Sequence, residues 1–281
     1  MKKILIIVAI IIFALYFLFP VCMGIYATFK FNEDVGKVPN GFENVELLTS
    51  DKIKLKAWYK KPENGAVIIV VHGAMSSRKH VLKHINMLVK NGYGVLAIDM
   101  RGHGESDGDG AVAYNWDGTK DIKASVKYLV EERKIEKIGA LGLSLGGEVL
   151  LGAASSNKEI KAIVTEGATE RSTGDYIALK ENKKLFRSYT TRLMYFTVKM
   201  VSGSKEPLRI VDSITFAKDT HFLFIAAGNK EKEIKYNKYF NSLVGENSKL
   251  WIIKDSNHTQ GIIKEKKEYE KNIIDFYYKY L

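Results

Sequence analysis

The sequence predicts an α/β fold in which helices cover both faces of a twisted, mostly parallel sheet, and three observations lead to this prediction. Short apolar runs alternate with segments of helical period from residue 44 to the end of the chain, which is typical of parallel strands joined by helical crossovers. The run AVIIVV at 66–71 is apolar throughout, as expected of a strand buried on both faces. A third run, 137–141, leads through a glycine-rich turn into a helix-like segment.

The remaining elements follow from the same two periods. An opening hairpin is predicted from strands at 44–49 and 54–59, joined at Ser50-Asp51. Further strands are predicted at 94–98, 161–165, 222–226 and 250–253. Helices are predicted at 78–91, at 117–134, after residue 144 and at 265–281. The segment 168–218 lies between two predicted strands, and we expect it to form a small helical lid.

The first part of the chain is apolar, with no charged residue from Ile4 to Phe29. About 20 apolar residues suffice to cross a bilayer. Residues 1–30 are therefore predicted to be a transmembrane anchor, followed by a linker at 31–43 and a domain at 44–281. A cleaved signal peptide is the alternative, which the long apolar region and the lack of a small-x-small cleavage site disfavour.

Lys2 and Lys3 suggest how such an anchor is oriented. They precede the apolar segment, and a short basic tail before an anchor usually stays in the cytoplasm. We therefore expect a single-pass protein of the cell membrane that carries its globular domain on the outer side.

The hexapeptide GLSLGG at 142–147 contains Gly-x-Ser-x-Gly between a predicted strand and a predicted helix. This is the context of a nucleophile elbow, a turn so sharp that the neighbours of the serine must lack side chains. The turn lifts the Ser144 hydroxyl out of the sheet, where a base can reach it. Other polar loops follow the predicted strands at 72–78, 99–108, 227–231 and 255–261, on the sheet edge where such folds place their chemistry.

With these motifs together, the chain from about residue 44 onward resembles the α/β-hydrolase superfamily. It looks most like the bacterial single-domain hydrolases related to serine aminopeptidases and to prolyl-oligopeptidase catalytic domains. The D-x-R-G-H-G-x-S-x-G signature at 99–108 is more specific than Gly-x-Ser-x-Gly alone. The resemblance implies that His72, His103, Asp99 and Arg101 are structural residues that hold these loops.

The resemblance also implies a catalytic triad in the order serine, acid, histidine. Ser144 matches the nucleophile, His258 the general base, and Glu231, three residues after Gly228, the acid. Glu233 and Glu166 are alternatives for the acid, the latter because some relatives place it after the preceding strand.

An oxyanion hole accompanies such a triad. The backbone N–H of Leu145 supplies one donor, and that of Ala74 the second, with Met75 as the alternative. We expect a serine hydrolase that cleaves a carboxylic ester or related acyl bond through an acyl-enzyme. A peptidase or an acyltransferase with the same triad is the alternative, and a non-catalytic binding protein of the same fold is the third possibility.

The charge composition of the chain indicates which kinds of binding partner are favoured. The net charge is +11, which favours anionic partners, and the segment 168–218 is itself basic and rich in aromatic residues. Its helices either cover the core with their apolar face, or form the acyl pocket and lean toward an anionic membrane surface. We expect a small-molecule or lipid-like acyl substrate and membrane contact through residues 4–29, whereas the oligomeric state stays open.

Several functional classes lack support in the sequence. The single cysteine, Cys22, lies in the apolar segment, so the domain has neither a disulfide framework nor a zinc-thiolate site. No metal-ligand cluster, phosphate-binding glycine loop or dinucleotide fingerprint is present, so no cofactor and no metal are predicted. The lysines are scattered and no recognition motif accompanies them, so we expect no nucleic-acid partner.

Overall fold

The centre of the molecule is an eight-stranded sheet in the order β10-β9-β8-β7-β4-β5-β3-β2. The structure is a computed structural model that describes residues 1–179 and 185–281, without the side chains of 185–187. The strands are β1 (Phe31–Asn32), β2 (Glu43–Leu48), β3 (Lys54–Lys60), β4 (Ala66–Val71), β5 (Gly94–Ile98), β6 (His103–Gly104), β7 (Lys137–Leu143), β8 (Ile160–Glu166), β9 (His221–Ala227) and β10 (Ser248–Ile253). Strands β2 and β3 form the predicted antiparallel hairpin, and β4, β5 and β7–β10 are mutually parallel.

Helices cover both faces of this sheet, as predicted. The α-helices of the described residues are α1 (Lys2–Phe13), α2 (Phe19–Tyr26), α3 (Leu82–Lys90), α4 (Gly118–Lys127), α5 (Leu145–Ala153), α6 (Thr173–Ala178), α7 (Leu185–Ser202), α8 (Ile210–Phe216), α9 (Glu231–Val244), α10 (Gly261–Lys264) and α11 (Lys266–Tyr280). The sequence prediction left out α9 and took 227–231 as a loop, although Glu231 is the first residue of this helix.

Strand β4 shows why the sheet has two cores. Val67, Ile69 and Val71 pack on one face with residues of α4, α5 and α9. Ile68 and Val70 pack on the other face with residues of α3 and α11. All six residues of β4 are buried, since successive side chains of a strand point to opposite faces and both faces are covered.

The N-terminal helix runs from Lys2 to Tyr26 as α1, a π-helical stretch and α2. Its length and composition would allow it to cross a membrane. The large apolar residues before Pro20 are exposed to the surroundings, whereas Pro20, Gly24 and Ala27 are buried against the rest of the protein.

The segment predicted as a linker, 31–43, contacts the domain that contains the eight-stranded sheet. Phe31 and Asn32 pair with His103 and Gly104 as β1 and β6, and the Ser77 hydroxyl donates a hydrogen bond of 2.6 Å to Glu33. The segment 168–218 contains α6, α7 and α8, while residues 180–184 of the predicted lid lie outside the described residues.

Candidate active site

Ser144 occupies the sharp turn between β7 and α5. Its backbone has φ 52° and ψ −121°, a region that L-residues rarely adopt and that is found at strained functional positions. The surrounding backbone leaves no room for side chains. A Cβ on Gly146 would lie 2.4 Å from the carbonyl oxygen of Val71, and one on Gly142 would lie 2.5 Å from the nitrogen of Gly147. This close packing explains why glycines flank the serine.

His258 reaches Ser144 from the loop that follows β10. The imidazole Nε2 lies 2.9 Å from the Ser144 Oγ, although 114 positions separate the two residues. The loop contains two residues with positive φ, Asp255 and Thr259. Its start is held by the backbone hydrogen bond from Asn229 N to the Ser256 carbonyl, 3.1 Å. The structure thus brings together the two side chains that the sequence predicted as neighbours.

The carboxylate on the other side of the imidazole belongs to Glu233, which corrects the prediction of Glu231. Glu233 Oε1 lies 2.7 Å from His258 Nδ1, and its second oxygen accepts a hydrogen bond of 3.0 Å from the backbone N–H of Ala227. The Glu231 side chain is 82% exposed and forms an ion pair with Lys235 at 2.7 Å. Both residues lie in the first turn of α9, and the helix directs only the second toward the sheet.

Glu166, the other alternative, has a different role. Its two oxygens accept hydrogen bonds of 2.7 Å from the backbone N–H of Gly261 and from the Tyr269 hydroxyl. Burial raises the pKa of this carboxyl. Glu166 therefore connects the end of β8 to α10 and α11. Because Gly261 directly follows the loop that carries His258, this contact also stabilises the end of that loop.

Gly167 is a site residue that the sequence analysis did not single out. A Cβ at this position would lie 2.9 Å from both Cε1 and Nδ1 of His258, and its φ is +76°. The position therefore needs glycine both for space and for backbone conformation. A glycine directly after a buried strand that ends on this edge of the sheet is the signal that could have revealed it.

The electrostatics of the imidazole follow from these contacts. The hydrogen bond with Glu233 raises the pKa of His258, while partial burial works in the opposite direction. A carboxylate on Nδ1 fixes the tautomer in which Nε2 carries the lone pair and can accept a proton from the serine hydroxyl.

Two backbone N–H groups near Ser144 are the predicted donors of the oxyanion hole. Leu145 is the first residue of α5, where the helix itself provides no acceptor for the N–H. Ala74 lines the same cavity as Ser144, together with Gly73 and His258. Met75, the alternative donor, adopts a positive φ of 50°. Leu145 directly follows Ser144 and Ala74 lines the same cavity, so the two stay the predicted donors.

Polar residues of the neighbouring loops form hydrogen bonds and ion pairs that stabilise these loops. His72 Nδ1 bonds to the Gly73 carbonyl at 2.7 Å, and its Nε2 accepts a hydrogen bond from Met100 N at 3.1 Å. Asp99 forms a fully buried ion pair with Arg78, and Arg101 pairs with Asp121 and with Asp51. These ion pairs connect the loop 99–108 to Arg78, to Asp121 of α4 and to Asp51 of the β2–β3 turn, so they stabilise contacts between elements as well as the loop.

The cavity that contains Ser144 and His258 has a volume of about 710 Å³. Its described lining includes the cationic residues Lys79 and Lys83 and no aspartate or glutamate. Ile262 and Ile263 of α10 supply an apolar side. No described residue of the segment 168–218 lines this cavity, which gives no support to the expectation that this segment forms the acyl pocket.

Among the described residues no group of three or more His, Cys, Asp or Glu could hold a metal ion. The arrangement at Ser144 is instead that of an activated nucleophile, in which a hydroxyl, an imidazole and a carboxylate form a chain of hydrogen bonds.

The order of the strands, the elbow and the histidine loop define an α/β hydrolase. Similar solved structures agree with this class. An esterase from Pyrococcus furiosus is similar over 85% of this chain and 91% of its own, with 28% identity and a TM-score of 0.64. The α/β hydrolase GrgF from a Penicillium species, at 16% identity, covers 85% of this chain and 98% of its own with a TM-score of 0.66 and shares the fold.

Within this class the chain belongs to the serine aminopeptidase (S33) family, whose model matches residues 62–236. Among curated proteins, Thiohydrolase aneE of Aspergillus aculeatus is 31% identical over 131 residues, which are 44% of this chain and 41% of that protein. An uncharacterized 31.7 kDa protein of Escherichia coli from the traX-finO intergenic region is 29% identical over 144 residues, 50% of each chain. The matched region thus spans about half or less of these curated relatives.

Proposed function

We propose that this protein is a membrane-anchored serine hydrolase that cleaves a carboxylic ester or related acyl bond, with Ser144 as nucleophile, His258 as general base and Glu233 as the acid that orients the base. The observation that carries the proposal is the chain of two hydrogen bonds, 2.9 Å from Ser144 Oγ to His258 Nε2 and 2.7 Å from His258 Nδ1 to Glu233. The similar esterase from P. furiosus, at 28% identity, supports an ester as the bond cleaved.

The first half of the reaction forms an acyl-enzyme. Ser144 Oγ attacks the carbonyl carbon while His258 Nε2 takes the hydroxyl proton. The negative charge that develops on the carbonyl oxygen is stabilised by the N–H groups of Leu145 and Ala74. When the tetrahedral intermediate collapses, the bond to the leaving alcohol breaks and His258 gives its proton to that oxygen.

The second half releases the acid. A water molecule attacks the acyl carbon as His258 removes one of its protons, and the same two N–H groups hold the second oxyanion. Collapse breaks the bond to Ser144, whose oxygen regains the proton from His258. Glu233 stabilises the imidazolium that forms in each half without itself taking the proton.

The charge of the cavity favours an acyl substrate over the peptide substrates of an aminopeptidase. An aminopeptidase must hold a positively charged amino terminus, for which a carboxylate near the nucleophile is the natural partner. The described lining of this cavity has Lys79 and Lys83 and no acidic side chain. Lys79 is paired with Glu33 outside the lining at 2.7 Å, so the positive charge of the lining comes mainly from Lys83. We therefore place ester or related acyl hydrolysis ahead of aminopeptidase activity.

A fluorophosphonate probe tests the nucleophile. It should label the wild-type protein covalently and should leave Ser144→Ala unlabelled, while Ser76→Ala, which changes another serine of the same cavity, should be labelled like the wild type. An unlabelled wild type, under conditions in which a known serine hydrolase reacts, would remove the enzymatic proposal. Transfer of the acyl group to an added alcohol at the expense of water would instead identify an acyltransferase.

The anchor is proposed from the N-terminal helix, whose large apolar residues between Ile4 and Phe19 are exposed. We propose a single pass with the catalytic domain outside the cytoplasmic membrane. Full-length protein should stay in the membrane fraction after alkaline carbonate extraction. In a Cys22→Ser background, Lys267→Cys on α11 should react with a membrane-impermeant maleimide in intact cells. Labelling that requires lysis would place the domain in the cytoplasm.

A further inference from the structure

The N-terminal helix does not end in a free tether. It packs along α7 from the stretch Ala14–Leu18 through α2. A Cβ on Gly24 would lie 2.7 Å from Thr197 Cβ and 2.8 Å from the Met194 carbonyl oxygen, so the backbone of α2 lies directly against α7 at this glycine. Ala27 is buried in a small core with Tyr195 and Val198 of α7. Helix α7 is thus placed by the same helix that would cross the membrane.

The outward face of α7 suits the boundary between water and lipid. Tyr189, Phe196 and Met200 are 48%, 58% and 66% exposed, and they share one side of the helix with the exposed cations Arg192 and Lys199, at three- and four-residue spacing. The sequence of α7 contains neither aspartate nor glutamate. Aromatic and apolar residues mixed with Lys and Arg are typical of helices that lie at a membrane surface.

The length of the N-terminal helix sets the level at which this face lies. The part that precedes Pro20, from Lys2 to Phe19, rises about 27 Å at the α-helical 1.5 Å per residue, close to the roughly 30 Å of the hydrocarbon layer. Residues 20–26, which pack on α7, then stand at the polar boundary of the bilayer. Helix α7 packs on these residues.

The same helix end lies at the rim of the Ser144 site. The Tyr26 hydroxyl lies 3.6 Å from the Met75 sulfur, and Met75 follows Ala74, which lines the cavity. Ala27 accepts a hydrogen bond of 2.9 Å from Ala113 N, and Phe31 N donates one of 2.8 Å to the Gly102 carbonyl. These contacts fix the loops around the nucleophile relative to the end of the N-terminal helix.

We infer that the exposed face of α7, made of Tyr189, Arg192, Phe196, Lys199 and Met200, lies in the surface layer of the bilayer that the N-terminal helix spans, and that the Ser144 site opens at this surface. The substrate class that follows is an acyl ester dissolved in the membrane rather than in water. This inference rests on the proposed serine hydrolase function and adds where its substrate comes from.

Two esters separate the inference from the function on which it rests. Full-length protein is reconstituted into vesicles of phosphatidylcholine and phosphatidylglycerol and given either a water-soluble short-chain ester or a fluorogenic long-chain ester embedded in the same vesicles. The double variant Phe196→Glu/Met200→Glu should lose about tenfold in activity on the embedded ester, because two charged side chains oppose insertion of this face. It should retain its activity on the soluble ester.

The control is Leu48→Glu, which places one glutamate at an apolar position that is 62% exposed on the edge strand β2. It should lower neither activity. An equal loss on both esters in the double variant, or a loss of the same size in Leu48→Glu, would overturn the inference. A wild-type protein inactive on both esters, and unlabelled by fluorophosphonate, would instead overturn the proposed function.

A measurement without turnover tests the membrane contact itself. Phe196→Trp and Leu48→Trp are each compared with the wild type in vesicles that contain brominated phosphatidylcholine, whose bromine quenches tryptophan only on contact. The emission added by Trp at 196 should be strongly quenched, and that added at 48 should not. Equal, weak quenching at the two positions would show that the α7 face lies in water and would overturn the inference even if the activities had changed.

Discussion

Helices α5 and α9 both begin after a parallel strand of the sheet, yet they position their functional side chains in different ways. One residue, Ser144, separates β7 from α5, whereas three residues separate β9 from α9. At α5 the backbone decides the position, because a Cβ on Gly146 would run into the carbonyl oxygens of Val71 and His72. At α9 the direction of the helix decides which of two glutamates reaches His258.

The difference shows when spacing along the sequence is sufficient to identify a site residue. A turn that is possible in only one geometry requires glycines at fixed positions in the sequence. That pattern of glycines identifies Ser144. A carboxylate on a helix can be identified only if the start of the helix is known, since residues two apart point about 200° away from each other around the axis. Glu231 and Glu233 differ in this way, with side chains 82% and 5% exposed.

The largest effect should be on kcat, when each of these two carboxylates is replaced by an amide in turn. Glu233→Gln should lower kcat by about 10³–10⁴, because the amide no longer stabilises the imidazolium or fixes the productive tautomer of His258. Glu231→Gln should leave kcat unchanged. Steady-state kinetics on a soluble ester measures both. Matching losses in the two variants, or a loss confined to Glu231→Gln, would reject the assignment of the acid.

Much of the fold could be read from the sequence because hydrophobic periodicity reports burial directly. The run AVIIVV became the fully buried β4, and the hairpin at 44–59 became β2 and β3. Helix α9 was missed, although Glu233, Tyr236, Asn237 and Phe240 are buried at three- and four-residue spacing, because two of these four side chains are polar. The same pattern, once taken as a helix face, points to Glu233.

Other parts of the site depend on contacts that no local pattern carries. Gly167 is required because His258, distant in sequence, lies over it. The packing of α7 on Gly24 and the contact of Tyr26 with Met75 join segments that are far apart in the chain. Long-range packing of this kind is a property of the folded state, so an apolar N-terminal segment by itself indicates a membrane span and nothing about its distance from Ser144.

The next effect tests the backbone constraint at α5. Gly146→Ala should destabilise the fold by roughly 2–3 kcal/mol, because the added methyl group meets backbone atoms that cannot move aside easily. Ser242→Ala on the surface of α9 should change the free energy of unfolding by less than about 0.5 kcal/mol. Urea unfolding in detergent, followed by circular dichroism, measures both. A Gly146→Ala protein as stable as the wild type would show that the turn is not tightly packed.

A third effect concerns the pH dependence of stability and distinguishes Glu148 of α5 from Glu233 of α9, both of which are buried. Glu148, in the first turn of α5, accepts hydrogen bonds from Thr169 and has no cation within ion-pair distance among the described residues. Burial raises the pKa of Glu148 to about 7. In the unfolded chain this carboxyl ionises near pH 4.5, so the folded state binds more protons between these two values and becomes less stable as the pH rises through that window.

Glu148→Gln should therefore change the pH dependence of stability. Relative to the wild type, the variant should gain about 2–3 kcal/mol between pH 4.5 and pH 8, because the amide keeps an acceptor for Thr169 and cannot ionise. Urea unfolding at several pH values gives the difference. Glu231→Gln serves as the control and should run parallel to the wild type. A parallel course for Glu148→Gln would mean that this carboxyl ionises as readily in the folded protein as in water.

The smallest expected effect concerns the acid limb of the activity profile, and it tests how α9 acts on the histidine loop. The reaction needs a neutral His258, so kcat/KM should fall as the pH drops through the pKa of this imidazole. The hydrogen bond with Glu233 raises that pKa above its ordinary value of 6.5, and the burial that remains without the carboxylate lowers it. The residual activity of Glu233→Gln should therefore persist to lower pH than that of the wild type, because the pKa of His258 falls when the carboxylate is removed. Glu231→Gln should retain the wild-type midpoint, because its carboxylate lies on the solvent side of the helix. If the limb of Glu233→Gln stayed in place while that of Glu231→Gln moved, the charge that reaches the imidazole would come from the exposed glutamate, and the distinction between the two sides of α9 would fail.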